Sequence, residues 1–134
     1  MLRSIVVVRS VAGFLWLAQL ILGIAFWTGH AMGLVQLHMG IGILFVAALW
    51  VLALLAARAG APRGLVALTV AWGALVLLLG MTQMQILPGP SHWIVRVVHL
   101  LVSLAAMPIA GRLTMTVLPR PGRPSGTGVP QTAA

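Results

Sequence analysis

Apolar residues in this chain fall into four long runs, at about 5–28, 31–57, 65–87 and 92–116, broken by the short polar or turn-forming stretches "TGHA", "ARAGAPRG" and "LPGPSH". A helix needs roughly 20 apolar residues to cross about 30 Å of hydrocarbon, and each run is that long. The pattern predicts an all-α fold: an integral membrane four-helix up-down bundle over residues 1–118. No small-residue cleavage site after the first run opens onto a soluble mature domain, so that run is expected to stay as a span and not to be removed as a signal peptide. The last stretch, "PRPGRPSGTGVPQTAA", is rich in proline, glycine and serine and predicts a disordered cytoplasmic tail over 119–134.

Composition sharpens the class. Of 134 residues, 61% are hydrophobic, and the mean hydropathy of +1.13 is far above that of a soluble domain. Aspartate, glutamate, cysteine and tyrosine are all absent, and every one of the eight formal charges is an arginine. A net charge of +8 does not point to nucleic acid, because the arginines stand singly between apolar segments and form no basic stripe on a soluble face. Without cysteine there is no disulfide framework, no thiolate ligation of iron–sulfur clusters and no thiol nucleophile. Without carboxylates, hydrolases that rest on an acid pair or a Ser-His-Asp triad are disfavoured, as are exporters that carry protons on a membrane-embedded acid. No phosphate-cradling glycine loop precedes a polar helix.

The arginines also orient the chain. Arg3 and Arg9 lie near the start, Arg58 and Arg63 in the second break, and Arg112, Arg120 and Arg123 at the end. Those regions share one side of a four-span protein, so the positive-inside rule places both termini in the cytoplasm of a bacterial-type inner (plasma) membrane. Trp27 and Trp93 fall at the opposite, outer boundary, where amphipathic indoles settle.

All four histidines, His30, His38, His92 and His99, lie on the second and fourth runs. Helical rise puts His38 roughly 12 Å below His30 and His99 roughly 10 Å below His92, so His38 and His99 share a depth in the outer half of the bilayer. Around a helix, His92, Arg96, His99, Ser103 and Ala106 share one face, and Gly42 stands one turn below His38. Gly42, Ser103 and Ala106 are small and leave room beside the imidazoles. Gln19 of the first run falls in the same layer and needs a partner there.

Two neutral imidazoles at equal depth on facing helices suit one b-type haem, ligated axially from each side and standing along the membrane normal. Haem brings two propionates, and the chain has no carboxylate of its own for an arginine. Arg96, one turn above His99, is placed to meet a propionate, with His30 and His92 near the same level to hydrogen-bond it. A second haem between His30 and His92 would crowd the first at roughly 10–12 Å.

The stretch "LHMGIGILFVAALWVLALLAAR", a histidine in an HxxxG pattern followed by a long apolar run ending in arginine, resembles the four-helix membrane b-type cytochromes, and "HWIVRVVHLL" extends the resemblance. That group includes hydrogenase-type and superoxide-oxidase-like cytochrome b proteins. The resemblance implies a membrane bundle carrying haem that exchanges electrons with quinone or a partner redox subunit. It also implies His38 and His99 as axial ligands, with His92 a further candidate. It covers two of the four runs, and relatives place a ligand on the first helix, where this chain has none.

Two other readings use the same residues. Met32 and Met39 neighbour His30 and His38, and "MTQM" places Met81 and Met84 near the outer end of the third run; thioether with imidazole suits Cu(I), although methionine is also an ordinary filler of apolar cores. Alternatively the chain is an accessory or scaffold subunit of a larger membrane complex, with Gly13, Gly23, Gly33, Gly40, Gly73 and Gly80 allowing close helix approach. Pro108 is expected to kink the fourth run.

Overall fold

A computed structural model describes residues 1–118; the predicted tail at 119–134, with Arg120 and Arg123, lies outside the described residues. Four helices carry the chain: α1 (Leu2–Trp27), α2 (Val35–Arg58), α3 (Arg63–Thr82) and α4 (His92–Met115). One-turn 3₁₀ segments precede α2 (Met32–Leu34) and follow α3 (Gln83–Gln85). In hydrocarbon a backbone must satisfy its own hydrogen bonds, and a helix does so within one segment. All four are long and apolar enough to cross a membrane.

The breaks contain the chemistry that ends helices. At the close of α2, Gly60 takes φ +88°, and the Ala61 N–H reaches back to the Ala56 carbonyl at 2.9 Å. This left-handed cap needs a residue without Cβ. Pro62 then caps α3, where its missing N–H costs nothing. His30 lies in the α1–α2 connection, between Gly29 (φ +78°) and Ala31 (φ +58°). Pro108 is accommodated inside α4, which continues to Met115.

Cross-helix hydrogen bonds set the register. Gln19 near the end of α1 donates to the His38 carbonyl near the start of α2 at 2.9 Å. The Trp50 indole donates to Val70 O at 3.1 Å, joining α2 to α3, and Trp72 donates to Val102 O at 2.8 Å, joining α3 to α4. Trp16 of α1 closes the ring onto Ser103 O of α4 at 3.0 Å. The α2–α3 and α3–α4 pairs each lie at nearly equal distances from the connection between their helices, as antiparallel neighbours require. The helix α2 also touches α4 across the bundle, and so meets all three others.

Packing is uneven along the axis. Ile5 and Ala12 of α1, Phe45 to Ala56 of α2, Thr69 of α3 and Ala106 to Thr114 of α4 bury residues in the half near the arginine-bearing ends. Gly73 is buried near the middle of α3, and towards the other end buried residues are few, Val76 and Val95 among them. Large side chains including Phe14, Ile21, Leu44, Leu78 and Leu101 are exposed on the outside, an apolar coat far larger than a soluble monomer tolerates and suited to lipid.

Candidate functional site

The thinly packed half holds the histidines. His38 emerges from the first turn of α2, where the edge of the Phe26 ring of α1 meets it at a centroid distance of 5.2 Å and an interplanar angle of 74°. His99 comes from the second turn of α4 and lies over Gly80 of α3: a methyl at that glycine would stand 3.4 Å from His99 Cε1. The two imidazoles come from the diagonal helices α2 and α4, which touch across the bundle. Both are half-buried. Nδ1 of each is shut off from solvent without a hydrogen-bond partner.

Two further atoms share that condition, Gln19 Oε1 and His92 Nε2. Native interiors pair nearly all such groups, and each unsatisfied one costs about 1–3 kcal/mol. The buried side-chain nitrogen and oxygen atoms without a partner, among the described residues, all belong to this end of the bundle. Their concentration at one end marks it as polar chemistry set into an apolar bundle, with donors and acceptors free to engage a bound group.

The remaining candidates are distributed around the layer. Gly42 stands one turn below His38, and its open face is filled by the Gln19 carboxamide, which a Cβ there would strike. Ser103 presents its backbone carbonyl to Trp16. Arg96 is exposed, next to the buried Val95, and sits at the edge of the buried stripe of α4. His92 opens α4, with Nδ1 3.4 Å from the Ile86 carbonyl. His30 is exposed and its Nδ1 meets its neighbour Thr28 Oγ1 at 3.1 Å. The structure thus brings His38, His99 and Gln19 into one layer and leaves His30 in a local contact outside it. Met32, Met39, Met81 and Met84 are exposed.

Histidines and glutamine could be found from the sequence because they are polar letters in apolar runs. Phe26, Gly80 and Trp16 could not: each is an ordinary membrane residue by composition, and its place beside the site comes from helix register alone. Among the described residues no group of three or more His, Cys, Asp or Glu side chains converges as a metal cage; the histidine layer offers two imidazoles. An open depression of about 510 Å³ lies at the far end, lined by Ala57, Gly60, Ala61, Arg63, Val66 and Ala67.

The donor set fits haem in its chemistry. Two nitrogen donors face one another's helices, neither ring's Nδ1 is committed to a protein partner, and the surrounding packing is the loosest in the bundle. Fold and site together define an all-α four-helix bundle, built for a bilayer, with a half-buried histidine pair near one end. No family model, curated protein or solved structure matches the chain.

Proposed function

We propose that this is a multi-pass membrane electron-transfer protein holding one b-type haem between His38 and His99. The observation that carries the reading is the pair itself: two half-buried imidazoles on facing helices, each with a nitrogen lacking any hydrogen-bond partner. In a chain without acids these rings have no carboxylate to serve, so a ligating role accounts for both at once. A haem bound there supplies a one-electron couple. The protein's own part is to hold the two imidazoles, shield them with Phe26 and the aliphatic coat, and offer Arg96 and His92 to the propionates. Accommodating the group requires α2 and α4 to part in the outer half, where fewer side chains are buried than near the arginine-bearing ends; that half is the less costly to open.

The setting proposed is a bacterial-type inner membrane with both termini cytoplasmic, the haem towards the outer face, and quinone or a partner redox subunit as the electron exchanger. Exposure of all four candidate methionines, beside half-buried imidazoles, favours haem over copper.

The test is a reduced-minus-oxidised absorption spectrum of the protein purified after expression with haem supplied. A low-spin b-type signal is expected, lost in His38→Ala and in His99→Ala and largely kept in His30→Ala. A colourless protein overturns the proposal in favour of a scaffold role, and copper retained in its place favours the thioether–imidazole site.

A further inference from the structure

Gln19 is joined to the site by an unusual arrangement. Its Nε2 donates to the backbone carbonyl of His38 at 2.9 Å, a carbonyl inside a helix that can accept a second bond through its other lone pair. A carbonyl can only accept, so the amino side of the carboxamide must face it, and the orientation of the amide is fixed by chemistry. Oε1 is thereby turned elsewhere, buried and without a donor. Nδ1 of the same His38 is buried and without a partner too. Of the four unpartnered atoms at this end of the bundle, Gln19 Oε1 is the one that can only accept; the other three are imidazole nitrogens, able to donate when protonated.

We infer that Gln19 is the positioning residue of His38: its Oε1 accepts the Nδ1 proton once the ring is turned towards it, selecting the tautomer whose Nε2 lone pair is free for a ligand. This deepens the haem reading and rests on it for its purpose. The hydrogen bond is a property of the protein itself and is tested with or without haem. A ligating histidine is ordinarily oriented through its other nitrogen in this way, by an acceptor that also makes the imidazole a stronger donor to the metal. Gly42 completes the device. The carboxamide crosses α2 over the bare Cα of Gly42, and a Cβ there would collide with Gln19 Nε2. Because that atom is the free end of a flexible side chain, Gly42→Ala is expected to evict the amide while leaving the helices in place.

The experiment labels histidine with ¹⁵N in the full chain, held in detergent micelles at about pH 8, well above the ordinary imidazole value of about 6.5. Nitrogen chemical shifts then report which ring nitrogen carries the proton. Wild-type His38 is expected to be protonated at Nδ1. Gln19→Leu and Gly42→Ala should both move it towards the Nε2 tautomer, whereas Gln19→Glu, which retains an acceptor, should keep the Nδ1 proton. With haem bound, Gln19→Leu and Gly42→Ala should both raise the midpoint potential, since a less electron-donating imidazole stabilises the oxidised iron less. An Nε2-protonated His38 in the wild type overturns the inference. So does a tautomer that ignores both substitutions, or a response at His99 in place of His38. Should Gln19→Leu fail to fold, Gly42→Ala alone decides. Failure to bind haem defeats the proposed function and leaves the nitrogen shifts to judge Gln19; normal haem binding with an unresponsive His38 defeats the Gln19 inference and spares the function.

Discussion

Arg96 follows the buried Val95 directly, and one step along a helix is about 100° of rotation. Its guanidinium is exposed while His99, about 60° back towards Val95, is half-buried. Since the chain contains no acid, any counter-charge for Arg96 comes from outside the polypeptide. If that is a haem propionate, the exposure sets the magnitude: solvent-accessible ion pairs contribute about 0–1 kcal/mol, whereas a buried pair broken on one side costs about 3–5 kcal/mol. Arg96→Ala is therefore expected to weaken haem retention by less than about tenfold, one decade being about 1.4 kcal/mol. It should also lower the midpoint potential, because losing a positive charge disfavours the more electron-rich reduced state. Arg96→Lys should restore part of the potential, as the ammonium lacks the planar two-pronged contact. Redox titration of the two variants checks the sign, and an unchanged potential in Arg96→Ala makes the residue an anchor at the membrane surface. The helical wheel placed Arg96 with the histidines correctly in sequence angle, but its exposure depends on where the neighbouring helices sit, and the wheel contains no neighbours.

Between α2 and α3, close contact is set where a glycine meets an indole. Gly73 of α3 is buried, and a Cβ there would stand 2.9 Å from Trp50 Nε1 and 3.4 Å from Val46 Cγ1 of α2. Trp50 is held in turn by its bond to Val70 O, so it has little room to yield. Gly73→Ala is expected to destabilise the bundle by about 1–3 kcal/mol, the usual cost of overpacking, even though alanine is the better helix former. Trp72→Phe removes one hydrogen bond to Val102 O and should cost about 0.5–1.5 kcal/mol. Unfolding in detergent with increasing denaturing surfactant measures both, and a Gly73→Ala protein as stable as the wild type would contradict the packing seen here. Existence of the four helices was legible because their length and apolarity answer a requirement of the bilayer that each segment meets alone. Their register was not legible. It depends on indole N–H groups seeking carbonyls on the next helix, and hydropathy counts Trp16, Trp50 and Trp72 simply as apolar. The third helix shows the same limit: it carries no histidine, yet Gly80 makes the space in which His99 lies.

Across the whole molecule, charge and dense packing gather at one end and the histidine pair lies towards the other. Arg3 at the start of α1, Arg58 at the end of α2, Arg63 at the start of α3 and Arg112 in the last turn of α4 gather at one end because the helices alternate in direction. That end also has the dense core, while the histidine layer occupies the looser half towards the opposite end. Arginine-rich segments next to spans are retained on the cytoplasmic side during insertion, and no acidic residue is present to offset them. The expected topology has both termini and the α2–α3 connection around Gly60 in the cytoplasm, with the connections at His30 and at Pro88–Gly89 outside. Reporter fusions decide it: a reporter active only outside the membrane should work after Pro88 and fail at the C-terminus, and a cytoplasmic reporter should do the reverse. Reversing the charge bias should loosen the arrangement, so a chain with Arg58 and Arg63 both changed to Gln and two arginines added beside Gly89 is expected to insert in mixed orientations. An external C-terminus in the unaltered chain would place the histidine pair, and any redox partner it serves, on the cytoplasmic face.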